Sequence, residues 1–316
     1  MRIMDAPLIS IIIPVYNAEA TIKKCLESII NQSFNNWEAI IVIDGGQDAS
    51  EDICEDYSRR DNRFLVIHQN NSGVSAARQK GLEAVHGQYV IHVDADDWIE
   101  QTMLQDLYEK ASDDNADIVI CDFYIDSAGT CLYSSQRPSS LDPNVVLQDL
   151  FGTIHGSCCN KLVKKKCIDS CGALFPVGID YCEDVCFNVQ LLKQADIIVS
   201  YLNKAYYHYV QFNTSITNNY NINTFYSQKR FVDYLATLLP EDSFPVIKSK
   251  ELVKKLAFKN HILDQDALYH LYPEIRDTHE TSVLMRVMYK CAFNGHYVIA
   301  SIFRGLYKSV QKLIRS

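Results

Sequence analysis

Asp94-Ala95-Asp96-Asp97 closes the apolar run Tyr89-Val90-Ile91-His92-Val93 and stands just before Trp98. Carboxylates at the end of such a run carry a desolvation cost that a bound cation relieves. Alternate residues of a strand share one side, so Asp94 and Asp96 can converge while Asp97 turns into the following loop. Clustered carboxylate oxygens suit Mg²⁺ or Mn²⁺, hard ions that keep several waters and complete their shell with substrate phosphates. The chemistry implied is the handling of a diphosphate. The plainer alternative is an acidic, solvated turn that caps a helix, and a short acidic motif alone does not separate the two.

Two further groups carry chemistry-capable residues. Glu183-Asp184 precedes the apolar segment Val185 to Leu192, where acids favour the positive end of a helix dipole. His208, in Tyr206-Tyr207-His208-Tyr209, is a further candidate metal ligand, since neutral imidazole binds metals, although the segment reads as a strand with a structural histidine. The chain has 11 cysteines. Without a leader-like start these read as reduced core thiols. Cys158, Cys159, Cys167, Cys171, Cys182 and Cys186 lack the tight C-x2-C spacing of a zinc knuckle.

The elements that position these groups alternate. Leu8 to Ile13 is an isoleucine-rich run ended by Pro14, the pattern of a strand buried on both faces. Ala18 to Ile30 has helical spacing through Ile22, Leu26, Ile29 and Ile30. Ala39 to Ile43 is a second buried strand ending at Asp44-Gly45-Gly46, and Asp48 or Ser50 can cap a helix through Tyr57. Phe64 to Ile67, Val74 to Val85 and Tyr89 to Val93 continue as strand, helix and strand. This order predicts a mostly parallel central sheet flanked by helices, with ligands at the carboxyl ends of its strands. No G-x-G-x-x-G follows the first strand and no G-x-x-x-x-G-K-[ST] occurs, so phosphate must be handled by metal and side chains. Asp126 to Pro143, rich in Ser and Pro, reads as a mobile loop able to close over substrate.

With 316 residues and a formal net charge of −9, the chain has room for a large core and no overall basic surface for nucleic acid. No run of about 18 apolar residues appears, and Met1 to Pro7 lacks the layout of a signal peptide. The expectation is an intracellular, cytoplasmic protein.

Read in order, the motifs resemble the family 2 inverting glycosyltransferases of GT-A fold over roughly residues 7 to 220. They are Ile12-Ile13-Pro14-Val15-Tyr16-Asn17, Asp44-Gly45-Gly46-Gln47-Asp48, Asn71 to Arg78, the Asp94 to Asp97 cluster with Trp98, Asn160-Lys161-Leu162, Glu183-Asp184 and Asn213-Thr214-Ser215-Ile216-Thr217. The resemblance implies an α/β, GT-A type nucleotide-diphospho-sugar transferase fold with a helical C-terminal extension. It places a GT-A domain over 1–220, its donor-binding half about 1–100 and its acceptor and base half about 101–220, followed by the extension over 221–316. It implies a donor site of Pro14, Tyr16, Asn17, Asp44, Arg78, Asp94 and Ala95, with Asp96 and Asp94 holding Mn²⁺ or Mg²⁺. Pro14 and Tyr16 would frame the nucleobase, and Asp44 would receive hydrogen bonds from uracil or ribose, hence a UDP-sugar. Inversion by single displacement needs one carboxylate to take the acceptor's proton; the resemblance gives that role to Asp184, with Glu183 orienting it or binding acceptor. The acceptor would be a saccharide or lipid-linked saccharide in polysaccharide biosynthesis. Ile43 replaces a frequent Asp, Gly46-Gln47 a frequent Ser-Thr, Gln79 a frequent Asn and Cys182 a frequent Gly, which puts base identity and acceptor pocket in question.

Thr281 to Ser316 contains Arg286, Lys290, Arg304, Lys308, Lys312 and Arg315 and no acid. Ile302, Phe303, Leu306, Tyr307, Val310, Leu313 and Ile314 fall on one arc of a helix, a basic amphipathic pattern that suits either an anionic membrane surface or docking on the main domain. Gln228 to Tyr272 also reads as helical, broken at Pro240 and Pro245. Two rivals are a non-catalytic nucleotide-sugar-binding scaffold subunit of a polysaccharide assembly, and a sugar nucleotidyltransferase. The second would carry a glycine-rich basic loop after the first strand, where Pro14-Val15-Tyr16-Asn17-Ala18-Glu19 stands instead.

Overall fold

A computed structural model describes residues 7–127, 129–211, 221–260 and 287. Its elements in chain order are β1 (Ile9–Val15), α1 (Ile22–Ile30), β2 (Trp37–Asp44), α2 (Ser50–Arg60), β3 (Phe64–Gln69), α3 (Val74–Glu83), β4 (Tyr89–His92), β5 (Trp98–Ile99), α4 (Met103–Asp113), β6 (Ile118–Ser127), β7 (Thr130–Ser134), α5 (Pro143–Asp149), β8 (Lys161–Lys164), α6 (Lys165–Cys171), α7 (Glu183–Leu192), β9 (Val199–Gln211), α8 (Ile222–Leu238) and α9 (Phe244–Asn260). Two compact units divide the chain, Met1–Asn218 with Arg230–Val246 and Asn219–Lys229 with Ile247–Ser316. The sheet and all the residues considered below as a site belong to the first.

The sheet runs β3-β2-β1-β4-β8-β6-β9-β5, with β7 paired to β6. As the alternation predicts, β3, β2, β1 and β4 are mutually parallel. Beyond β4 the sheet is mixed: β8 is antiparallel to β4 and β6, β9 is parallel to β6, and β5 is antiparallel to β9. The sheet expected to be mostly parallel is therefore mixed, parallel across β3, β2, β1 and β4, because the later strands are not joined one by one through crossover helices. Ile9, Ile11, Ile12 and Ile13 of β1 are fully buried, as a central strand covered on both faces requires, and each contributes about 1.5–3 kcal/mol of burial. Helix α3 docks closely on β1: a Cβ on Gly81 would lie 2.5 Å from Ile12 Cγ2.

The segment expected as a loop over Asp126 to Pro143 is paired in its first part, while 135–142 carry no regular secondary structure. Its β7 is antiparallel to β6 with Thr130 opposite Ser127, and Asp142 caps α5 by accepting from the Asn144 N–H at 2.8 Å. The helical expectation over Gln228 to Tyr272 is met by α8 and α9 as far as residue 260. Pro240 marks the break between them, whereas Pro245 sits in the first turn of α9, where a missing N–H costs no helical bond. Asn213 to Thr217 and the basic amphipathic segment from Ile302 lie outside the described residues. Among the described residues, no helix is long and apolar enough to cross a membrane.

Candidate active site

The carboxyl ends of β1, β2 and β4 gather the first group of predicted residues. Asn17, in the left-handed region at φ +47°, accepts from the Gln47 N–H at 3.0 Å through Oδ1 and so joins the β1 and β2 loops. Gly46 lies at φ +124°, and a Cβ there would fall 2.9 Å from Asn17 Oδ1, so a side chain here would have to displace this contact. Pro14 is half-buried and Tyr16 is exposed, which leaves the Tyr16 ring free to meet a ligand.

Asp44 is placed differently from an open ligand. Its Oδ1 accepts from Gln69 Nε2 at 2.7 Å and the Ser72 N–H at 2.8 Å, and Oδ2 accepts from the Gly73 N–H at 3.0 Å. The carboxylate thus shapes the Asn71-Ser72-Gly73 loop that leads into α3.

Helix α3 then delivers Arg78. The side chain is 5% exposed, and its fork spans two acidic groups: Nη2 donates to Asp94 Oδ1 at 2.8 Å, while Nε lies 3.3 Å from Glu183 Oε1 and 3.2 Å from Asp184 Oδ1. Burial alone would lower its pKa, but the charges of Asp184, Asp94 and Glu183 raise it well above the usual value. Arg78 therefore ties the strand-end cluster to the acidic pair that opens α7.

Within Asp94 to Asp97 the four residues separate. The Asp97 N–H bonds back to the Asp94 carbonyl at 3.1 Å. Tyr207 of β9 places its hydroxyl between them, accepting from the Asp94 N–H at 3.1 Å and donating to Asp97 Oδ2 at 2.6 Å. Asp97 also accepts from the Val210 N–H at 2.8 Å. Burial, with the Asp94 and Asp96 charges, pushes the Asp97 carboxyl up to about 8. Asp97 is thus an internal tether, and Ala95 is buried beside it. Asp94 and exposed Asp96 remain for a ligand. Desolvation by the surrounding chain and the Asp94 charge raise the pKa of Asp96, and carboxylate oxygens are the ligand type a hard divalent cation takes.

At the opposite end of the Arg78 fork, Cys182 takes a left-handed conformation at φ +56° and starts α7. Burial, then the Asp184 charge, pushes the Glu183 carboxyl up to about 7 against the pull of Arg78. Asp184 Oδ2 accepts from the Cys158 N–H at 3.0 Å. Its Oδ1 is buried, lies within ion-pair distance of Arg78 and receives no hydrogen bond. Arg78 Nη1 is likewise buried without a partner.

The loop that presents the Cys158 N–H rests on Lys161, whose role the sequence did not disclose. The fully buried ammonium donates to the His155 carbonyl at 2.9 Å, the Ser157 carbonyl at 2.7 Å and Asn160 Oδ1 at 2.9 Å. Asn160 Nδ2 in turn donates to the Cys121 carbonyl at 2.6 Å. Burial lowers the Lys161 pKa, but three acceptors satisfy all three of its donors. The visible signal was the Asn160-Lys161-Leu162 motif itself, which does not say that the ammonium is buried. A cavity of about 500 Å³ lined by Asp117, Lys164, Lys166 and Cys167 shares none of these residues.

The family model for glycosyl transferase family 2 matches residues 10–172, and the putative glycosyltransferase EpsH of Bacillus subtilis is 36% identical over 247 residues, covering 76% of this chain and 71% of EpsH. The chain belongs to glycosyl transferase family 2. The putative teichuronic acid biosynthesis glycosyltransferase TuaG of B. subtilis is 42% identical over 92 residues, 29% of this chain and 36% of TuaG. In fold, the chain is similar to S. aureus TarS 1–349 in complex with UDP-GlcNAc, with a TM-score of 0.68 at 18% identity over 96% of this chain and 92% of that TarS chain. This establishes the GT-A-like α/β fold.

In this family 2 transferase, His208 stands apart from Asp94 and Asp96. It is buried, stacks on Trp98 with ring centroids 3.5 Å apart, and faces Asp126 Oδ2 at 3.0 Å and Glu100 Oε1 at 3.1 Å. The predicted ligand therefore joins another group of side chains. His92, two residues before Asp94, is buried and packs edge-to-face against the stacked rings of Phe175 and Phe187. Burial, and then the Arg78 charge, lowers its pKa, so it adds no positive charge beneath the site.

Proposed function

We propose that this protein is an inverting transferase that moves a sugar from a nucleotide diphosphate, a UDP-sugar, to a hydroxyl of a saccharide or lipid-linked saccharide in polysaccharide assembly. The observation that carries this reading is Asp184. One carboxylate oxygen is anchored by the Cys158 N–H, and the other is buried with no hydrogen-bond donor. An oriented carboxylate with an open lone pair is what a general base needs. The acceptor oxygen attacks the anomeric carbon, the bond from that carbon to the diphosphate breaks with its electron pair, and the acceptor proton passes to Asp184. Glu183, the member of the pair pushed upward by burial, orients acceptor beside it. Arg78 holds both acids in register with Asp94 and, through its unpartnered Nη1, can face the nucleotide.

Asp94 and Asp96 are the residues that would hold Mn²⁺ or Mg²⁺, and such an ion stabilises negative charge growing on a departing diphosphate. Pro14, Tyr16 and Asn17 frame the nucleotide, with Asp44 acting through the loop it organises and Ala95 flooring the site. The teichuronic acid role in TuaG's name and the UDP-GlcNAc bound to TarS support the polysaccharide and UDP parts of the reading. Activity at the cytoplasmic membrane face, through the basic segment from Arg304 to Arg315, belongs to the same proposal. The test is Asp184→Asn with a panel of UDP-sugars. Turnover should fall roughly 10²-fold or more while UDP still raises the melting temperature as it does for the parent. Unchanged turnover removes Asp184 from the base role.

A further inference from the structure

Three strands bring a second set of ligand-type side chains to one face. Cys131 of β7 is directly opposite Asp126 of β6. His208 of β9 is opposite Tyr124, which shares a face with Asp126 two residues on. One ligand atom each from Asp126, Cys131 and His208 lies within 4.8 Å of the others. Asp126 Oδ2 receives the Trp98 indole N–H at 3.2 Å and faces His208 Nδ1 at 3.0 Å. Its other oxygen is buried with no hydrogen-bond partner. His208 is held by stacking on both sides, against Trp98 at 3.5 Å and Tyr124 at 4.7 Å between centroids.

We propose that Cys131, Asp126 and His208 form a zinc-class metal site, separate in its ligands from Asp94 and Asp96, that clamps the β6–β7 hairpin to β9. The donor set decides the class: one thiolate, one imidazole and one carboxylate suit Zn²⁺, whereas Mg²⁺ and Mn²⁺ favour oxygen alone. Tetrahedral bonds of about 2.0–2.3 Å place ligand atoms roughly 3.5 Å apart. The observed separations reach that with small side-chain movement at Cys131, which sits on the exposed β7 with its thiol hydrogen-bonded to Asp126. Glu100 supplies the outer contact such sites use: the imidazole keeps its proton on Nε2, donated to Glu100 Oε1 at 3.1 Å, which leaves the Nδ1 lone pair for the metal. Binding releases the Cys131 thiol proton and leaves the fourth position to water. The orphan Asp126 oxygen then gains the partner it lacks, either the metal or that water.

The experiment uses the full chain, reduced and freed of metal by chelation, with Co²⁺ as the spectroscopic probe and Zn²⁺ as competitor. One equivalent of Co²⁺ should give a sulfur-to-cobalt charge-transfer band and the strong visible bands of tetrahedral cobalt, both abolished by one equivalent of Zn²⁺. Cys131→Ser, at an exposed position, should fold normally and lose the charge-transfer band. Glu100→Ala should weaken binding about 10–100-fold, and Asp96→Ala should leave the spectrum intact. A charge-transfer band that persists in Cys131→Ser, loss of the band in Asp96→Ala, or no band with the parent chain would each overturn the assignment.

Discussion

Replacing Arg78 with methionine tests whether one buried cation holds the two acidic groups together. At an effective dielectric constant of about 20, each ion pair is worth roughly 4 kcal/mol, and Arg78 makes one with each of Asp94, Glu183 and Asp184. Most of that gross attraction offsets the desolvation of the guanidinium, so the loss on breaking the arrangement is the 3–5 kcal/mol, approximately, that follows when a buried charge loses its partner. Set against a total stability of about 5–15 kcal/mol, this is a large fraction. At about 2–4 °C per kcal/mol for a unit of this size, the melting temperature should fall by about 6–20 °C. The deficit should also depend on pH. Once the repelling carboxyls take up protons, the missing cation matters less, so Arg78→Met should lie closer to the parent at pH about 5 than at about 8. Thermal melts followed by circular dichroism, with chelator present to exclude stray cations, measure both effects. A variant within about 1 kcal/mol of the parent at both pH values, or one whose deficit grows on acidification, would refute the bridging role. Arg78→Lys should recover only part of the loss, because a single ammonium cannot reach both sides as the fork does.

Asp97 and Glu183, with pKa values pushed up to about 8 and about 7, retain protons that the unfolded chain has already released. Their contribution to stability therefore falls as pH rises from about 4 to about 8 and then levels off, and Glu183→Gln should flatten the slope in melts across that range. Lys161→Met leaves three carbonyl-type acceptors unmet and loosens the loop that anchors Asp184. Stability should drop by about 1–3 kcal/mol and kcat at least about 10-fold with donor KM retained; an equal change in both constants would contradict the positioning role. Gly73→Ala meets Asp180 Oδ1 at 2.4 Å in a φ +91° conformation. It should cost about 1–3 kcal/mol and weaken UDP binding by disturbing the Gly73 N–H on Asp44, both readable in one thermal shift series with and without nucleotide.

The first half of the sheet was legible because its strands are buried on both faces and its helices alternate with them, so hydrophobicity alone marks Ile9 to Ile13 and Ala39 to Ile43. The second half was not, because pairing rather than burial builds it. Strand β7 is exposed along most of its length and exists through its ladder with β6, which no apolar period reveals; its serines and the following Arg137-Pro138 read as loop. In the site, strand alternation pairs Asp94 with Asp96 and turns Asp97 aside, but it does not say what each carboxylate meets. Their difference lies in partners from far along the chain: Tyr207 and Val210 occupy Asp97, while Arg78 takes one oxygen of Asp94 and Asp96 stays exposed. The same holds for Glu183 and Asp184, neighbours at one helix start. Asp184 is set apart by a backbone N–H from Cys158, and that N–H is held in place by an ammonium at Lys161. A local motif fixes which atoms are available. Long-range hydrogen bonds decide which of those atoms are already spent on the fold, and those left over, Asp184 Oδ1 and Arg78 Nη1 among them, are where a ligand can still gain free energy by binding.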